Sequence, residues 1–269
     1  MIASTQPQTP VVQPIQFVTD VEAWRQFWLA FGLAQTRVAD PMWTVLATGS
    51  GRIALHHTEA EDPLAGATKL TLDVPDLDAY AEAVSAQGTP VRKVTLGHGD
   101  ALEIDLPRGT LIVNRAEVTD GQASVAPEHL NVTGLVYGDA VAEGARIAAT
   151  LGLTPRVASD SGGWTDLTGY GMVAFHEDKK DASRGTPLAD GGASCEITFE
   201  TGDVGALHQR LETAGLTARL IDESYARTLR VDMPDGQELW VNETIRDFYG
   251  FHHAGGGTSA GHILGPAPI

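Results

Sequence analysis

The sequence of 269 residues contains a single cysteine, Cys195. One cysteine excludes an internal disulfide, and it excludes a metal site built from several thiolates. Basic residues are also scarce, because 18 Lys and Arg stand against 35 Asp and Glu and give a formal net charge of −17. Nucleic acids and anionic membranes are bound through clustered basic side chains, so we expect neither of them as a partner.

Long apolar runs are missing too, since no stretch approaches the roughly 18 consecutive apolar residues of a membrane-spanning helix. The N-terminal residues lack the basic-then-apolar order of a secretory signal. We therefore expect a cytoplasmic protein that is a monomer or a homodimer. The hydrophobic content of 42% is that of an ordinary globular protein with a core.

The sequence does contain a repeat. The stretch "WTVLATGSGRIALHH", which begins at Trp43, is echoed by "WTDLTGYGMVAFHED", which begins at Trp164. Residues 69–115 also align with residues 196–242 without a gap. Turn residues and apolar alternation stay in register along this alignment, which predicts a tandem duplication.

Apolar periodicity divides each repeat into strands and helices. The pattern predicts an α+β fold made of four β-α-β-β-β modules. One helical stripe of aromatic residues, at i, i+3, i+4 and i+7, predicts a buried face made of Trp24, Phe27, Trp28 and Phe31. The predicted modules lie at 13–58, 68–116, 130–178 and 194–243, the domains at 12–117 and 129–248, the linker at 118–128, and unstructured ends at 1–11 and 249–269.

The order of these modules resembles the vicinal-oxygen-chelate superfamily, which includes glyoxalases, extradiol dioxygenases and bleomycin-resistance proteins. The resemblance covers residues 13–243, and it implies that the modules form two paired, cup-shaped mixed sheets with helices on the outer faces. The closing turn "MPDGQELWV" is similar to a turn of that family, and the "GL" pairs after two of the helices fit it as well. The aspartates that open the helices are a further mark of the family: Asp20, Asp76, Asp139 and Asp203.

The resemblance implies metal ligands on the first and last strands of each module, and the residues there are poor ligands. A divalent catalytic site needs about three good protein ligands, and only Glu196 and, weakly, Gln13 qualify. We therefore expect no metal and no other cofactor. The first-strand positions fall on Gln13, Lys69, Val132 and Glu196, and the last-strand positions fall on Ala54, Val113, Ala174 and Trp240.

Side chains alternate between the two faces of a strand, which predicts the other residues that face the cups. His56 and His176 share a face with Ala54 and Ala174, because each histidine lies two residues further along its strand. Trp43 and Trp164 suit either the cup lining or the core. The candidate ligand-binding residues are Trp43, His56, Lys69 and Arg115 in the first cup, and Trp164, His176, Trp240 and Asn242 in the second.

Two functions fit this pattern. The first is the metal-independent binding of a small, aromatic metabolite or antibiotic, as in the bleomycin-resistance branch that the chain resembles. The second is a cofactor-free cyclase, isomerase or hydrolase of secondary metabolism. In the enzyme, His176 is the candidate base, with Glu196 or Glu200 as its orienting carboxylate.

Overall fold

The computed structural model describes residues 6–36, 40–116, 130–181, 183–223 and 226–255. We call the part up to residue 116 the first half and the part from residue 130 the second half. The predicted linker at 118–128 lies outside the described residues. None of the helices in the described ranges is long and apolar enough to span a membrane.

The first half contains ten strands and two helices in its described residues. They are β1 (Val11–Val12), β2 (Ile15–Val18), α1 (Val21–Phe31), β3 (Ala34–Gln35), β4 (Trp43–Ala47), β5 (Arg52–His57), β6 (Thr68–Lys69), β7 (Thr71–Val74), α2 (Leu77–Ala86), β8 (Arg92–Leu96), β9 (Gly99–Asp105) and β10 (Thr110–Arg115).

The described residues of the second half form nine strands and two helices. They are β11 (Leu130–Tyr137), α3 (Val141–Thr150), β12 (Thr154–Ser159), β13 (Trp164–Gly169), β14 (Gly171–His176), β15 (Glu196–Thr201), α4 (Val204–Thr213), β16 (Ala218–Asp222), β17 (Arg227–Asp232), β18 (Glu238–Glu243) and β19 (Phe251–His253). The α+β prediction is therefore confirmed.

Three of the four helices begin at the predicted aspartates. The side chains of Asp20, Asp76 and Asp203 accept hydrogen bonds from backbone N–H groups of the first helical turn. This N-cap satisfies donors that have no partner within the helix. The third helix differs, since its N-cap is Ala140, and the Asp139 carboxylate instead accepts a hydrogen bond from Arg108 (3.2 Å).

The first half does not form the single sheet that the cup prediction implied. Its strands make two five-stranded sheets, ordered β3-β4-β5-β2-β6 and β1-β7-β10-β9-β8. The division falls at Pro14, which has no N–H to donate to a sheet ladder and separates β1 from β2. In the second half, one mixed sheet of nine strands is ordered β16-β17-β18-β15-β11-β14-β13-β12-β19.

The helices were predicted on outer faces, yet they lie between the two halves. One core cluster combines residues of α1 with residues of α4, and a second cluster combines residues of α2 with residues of α3. Tyr80 donates its hydroxyl hydrogen to the Leu151 carbonyl (2.7 Å), and Arg210 donates to the Phe31 carbonyl (2.6 Å). The predicted aromatic stripe of α1 is buried in this joint core.

Residues 6–11 and 249–255, the described parts of the predicted unstructured ends, make backbone contacts with the rest of the protein. Pro7 and Pro10 are buried, and Tyr170 in the second half donates its backbone N–H to the Pro10 carbonyl (3.1 Å). Near the other end, β19 pairs with the edge strand β12, although this region was assigned to an unstructured tail. Backbone pairing with the second half accounts for the order at both ends.

Candidate functional site

A cavity of about 260 Å³ lies on the face of the nine-stranded sheet that points away from the helices. Residues of seven strands and the connecting segments line it. The lining consists of Thr133, Leu135, Tyr137, Arg156, Val157, Trp164, Asp166, Met172, His176, Arg184, Glu196, Thr198, Phe199, Glu200, Trp240, Asn242, Glu243, Ile245 and Phe251. The four ligand-binding candidates of the second cup are all in this lining, and so are the enzyme candidates Glu196 and Glu200.

Three aromatic rings form one wall of the cavity. Trp164 and His176 lie directly opposite each other on β13 and β14, with ring centroids 5.6 Å apart. Tyr137 contacts the other side of the imidazole at 5.5 Å, and both contacts are edge-to-face. This geometry suits the electrostatics of aromatic rings, so the imidazole has a fixed place in the wall.

The first half repeats this arrangement. Trp43 and His56 lie opposite each other on β4 and β5 with centroids 5.7 Å apart, and Phe17 contacts His56 at 5.3 Å. The repeated stretches that begin at Trp43 and Trp164 therefore form a tryptophan–histidine pair in each half. The third ring, Phe17 or Tyr137, was missed, although each lies three residues before the N-cap of the next helix.

A buried ion cluster forms the floor of the cavity. Arg156 donates Nε and Nη2 to the two oxygens of Asp166 (2.8 and 2.9 Å). Its Nη1 and Nη2 also donate to the two oxygens of Glu200 (3.0 and 2.7 Å), and Thr244 donates to Glu200 at 3.0 Å. The side chains of the three charged residues are 3–8% exposed. Arg156 and Asp166 were not among the predicted site residues.

The rim of the cavity carries a second charged group. Arg184 donates to Glu196 Oε1 (2.6 Å) and to Asp178 (2.9 Å), and its guanidinium lies 3.8 Å from the centre of the Tyr137 ring. The Tyr137 hydroxyl donates to Glu196 Oε2 (3.3 Å). Glu196 is thus bound by an arginine and a phenol, and no hydrogen bond within the described residues joins it to the imidazole of His176.

Trp240 stands at the mouth of the cavity. It is 41% exposed, and the guanidinium of Arg230 lies 3.1 Å from the centre of its ring. Asn242, two residues further along β18, accepts a hydrogen bond from the Thr228 hydroxyl (3.2 Å). The mouth therefore already holds one cation against an indole face.

Burial shifts the pKa values of several groups around the two tryptophan–histidine pairs, and it raises that of Tyr137. Desolvation lowers the pKa of His176 and that of His56, so both imidazoles are neutral at neutral pH. Burial also raises the pKa of Glu200, against the opposing effect of Arg156. His176 lines the cavity, and within the described ranges no hydrogen bond reaches its imidazole.

The candidates in the first half come together only in part. Lys69 lies 5.4 Å from the centre of the Phe17 ring and forms an ion pair with Asp190. Arg115, however, lies on the helix side of its sheet, where it pairs with Val74. The prediction placed Arg115 in the cup because it rested on an alignment without gaps. The turn between β9 and β10 is one residue shorter than the turn between β17 and β18, and the alignment did not allow for this difference.

The same turn explains a second correction. Asp105 pairs with Thr110 in the first half, whereas Asp232 pairs with Glu238 in the second. The residue that corresponds to Trp240 is consequently Ile112, because each pairs with the equivalent threonine of its neighbouring strand. Val113 belongs to the core instead.

The positions that hold a metal in the resembled superfamily do not fit one here. Val132 is in the core, and its neighbour Thr133 lines the cavity instead, because the third helix begins one residue later than predicted. Ala174 offers no donor atom. Within the described ranges, no three His, Cys, Asp or Glu side chains are grouped to hold a metal ion. One carboxylate, Glu196, remains at these positions, and Arg184 binds it.

Comparisons with solved structures identify the fold. The 2,3-dioxygenase LapB from Pseudomonas sp. KL28 has 16% sequence identity and a TM-score of 0.59, with 91% of this chain and 94% of that chain covered. An extradiol ring-cleaving dioxygenase from B. fuscum has 14% identity and a TM-score of 0.57 (91% and 73% covered). The Mn(II)-bound glyoxalase from Novosphingobium aromaticivorans has 12% identity and a TM-score of 0.52 (90% and 83% covered).

No family model matches the sequence, and no curated protein matches it significantly. The likeness to solved structures is therefore one of fold. Two dioxygenases and a glyoxalase share that fold with this chain, and extradiol dioxygenases and glyoxalases are among the proteins that the resemblance named.

Proposed function

We propose that this chain, which has the vicinal-oxygen-chelate fold, binds a small aromatic molecule in the cavity of its second half without a metal. The observation that carries the proposal is the cavity itself, where Trp164, Tyr137 and Trp240 surround a floor of charged groups. Ligand sites combine apolar and aromatic walls with a few fixed polar groups. A volume of about 260 Å³ suits a ligand with one ring system.

The charged floor supports binding more than metal chemistry. A catalytic metal requires open carboxylate or imidazole ligands, whereas Asp166 and Glu200 are each bound by two nitrogens of Arg156. Such a floor is rigid and polar, and it orients a ligand through hydrogen bonds. Sequestration of a metabolite or antibiotic needs only this shape and polarity.

We expect Trp164→Ala to weaken ligand binding by about 1–3 kcal/mol, the scale of losing one large apolar contact. Native mass spectrometry of the protein purified from its own host identifies the retained ligand, and calorimetry then measures its affinity for both proteins. Trp43→Ala is the matched control, because Trp43 packs against a histidine in the same way in the first half. Equal losses in the two variants would contradict the assignment to the second half.

A second function rests on His176. Its imidazole lines the cavity, and burial lowers its pKa, so it is able to accept a proton at neutral pH. Among the described residues, no hydrogen bond joins His176 to Glu196 or Glu200, and arginines bind both carboxylates. In an enzyme, His176 would act as a base with no carboxylate to orient it.

His176→Asn distinguishes the two functions. For a binder, we expect less than about a tenfold loss of affinity, because the contact is one among many, and no conversion of the ligand by either protein. The measurement is calorimetry together with a chromatographic assay for product. Conversion by the unmodified protein, slowed by about 10²–10⁴ in the variant, would instead establish the enzyme.

A further inference from the structure

The charges that line the cavity do not balance. Four carboxylates and two guanidinium groups face it, and they are Asp166, Glu196, Glu200, Glu243, Arg156 and Arg184. Two of the carboxylates have a guanidinium of their own: Glu196 binds Arg184, and Glu243 binds Arg227 from outside the lining (2.6 Å). The other two carboxylates share one guanidinium.

This surplus lies at the floor, where solvent screens it least. Asp166, Arg156 and Glu200 are nearly completely buried, and together they carry one negative charge more than positive when both acids are ionised. Buried charge is strongly unfavourable unless an opposite charge lies close to it. Among the described residues that line the cavity, no further Lys or Arg approaches the floor.

The walls above the floor also favour a positive charge. The Trp164 indole donates Nε1 to Asp166 Oδ2 (3.4 Å), so its ring stands next to the floor carboxylates. At the mouth, the face of Trp240 already holds the guanidinium of Arg230. Indole faces attract cations, and the attraction grows when water is excluded.

We propose that the ligand is a small organic cation, an aromatic ring that carries a protonated amine or amidinium, with its charge directed to Asp166 and Glu200. This inference rests on the proposed function and names the chemical class of its ligand. A cation at the floor balances the surplus charge, while its ring packs against Trp164. A carboxylate ligand in the same pose adds to the surplus and is disfavoured.

Three probes that share one ring system test the inference: tryptamine is a cation, indole is neutral and indole-3-acetate is an anion. We expect tryptamine to bind at least about tenfold more tightly than indole-3-acetate at neutral pH, because like charges repel at a buried site. Calorimetry at low salt measures the three affinities. Raising the salt should weaken tryptamine most, since its charge contributes most to binding.

Substitutions at the floor separate charge from shape. Glu200→Gln keeps the shape and removes the surplus charge, so we expect it to weaken tryptamine about tenfold and to change indole little. Glu82→Gln on the exposed face of α2 is the control, and Asp166→Asn is a second floor variant. Circular dichroism verifies that each variant is folded.

The outcomes distinguish the inference from the proposed function. Equal or tighter binding of indole-3-acetate overturns the inference, as does a Glu200→Gln variant that binds tryptamine normally, and either leaves binding in the cavity intact. Failure of all three probes at millimolar concentration also overturns the inference. The proposed function fails on different results: the protein purified from its host retains no small molecule, and Trp164→Ala changes the affinity for none of the molecules tested.

Discussion

Replacing Arg156 with Leu should destabilise the protein by about 3–5 kcal/mol, because it leaves two buried carboxylates without their counter-charge. Asp166 and Glu200 each lose two hydrogen bonds from the guanidinium and remain in the closed floor of the cavity. Urea unfolding followed by circular dichroism measures the loss. Arg92→Leu is the control, since Arg92 also binds an aspartate through two nitrogens but lies at the surface, where we expect little change.

The loss of stability caused by Arg156→Leu should become smaller as the pH falls. Burial already raises the pKa of Glu200 in the unmodified protein, and without the guanidinium this pKa rises further. A carboxyl group with a raised folded-state pKa gives its full stabilisation below the unfolded pKa and loses it as the pH rises through the folded pKa. The difference between variant and parent is therefore expected to be smallest at about pH 4. A difference that is constant from there to neutral pH would contradict this explanation.

Trp28→Ala should have a comparable effect, about 3–5 kcal/mol, through a cavity in the core between the halves. Trp28 is 0% exposed, donates Nε1 to Gln16 Oε1 (3.1 Å) and contacts Phe199 of the second half with ring centroids 5.7 Å apart. Urea unfolding measures the change. Trp240→Ala is the matched control, because the same side chain is 41% exposed there and its removal leaves no closed cavity.

Reaction of Cys195 with a thiol reagent extends this experiment. The cysteine is buried in the core cluster that α2 and α3 share, and Trp28 belongs to the other cluster. If the halves unfold together, Trp28→Ala should make Cys195 reactive at the same lower urea concentration at which helix is lost. Protection of Cys195 that persists beyond that concentration would show that the two clusters unfold separately.

Local patterns explain which parts of the fold were predictable. The aromatic stripe of α1 and the N-cap aspartates act within one helix, so residue spacing indicates them directly. The pairing of Trp164 with His176 follows similarly from one hairpin that the sequence repeats. These features needed no knowledge of how distant segments meet.

Contacts between residues far apart in the sequence explain which predictions of the site and the fold were incomplete or wrong. Arg156 binds Asp166, ten residues away, and Glu200, 44 residues away, and no spacing in the sequence links the three. The orientation of Arg115 depended on one residue in a turn, and a shift of one residue exchanges the two faces of a strand. The placement of the helices between the halves depended on which sheets meet, which periodicity does not reveal.

The joint core has a consequence for the order in which the chain is made. Synthesis begins at the N-terminus, so α1 and α2 are complete while residues 130–241, which supply their partners in both clusters, do not yet exist. Until then, part of the apolar surface of these two helices faces water, as does the backbone segment around Pro10 that pairs with Tyr170. The chain therefore completes its core only after most of β18 has left the ribosome, and until then the exposed apolar surface of the first half favours aggregation.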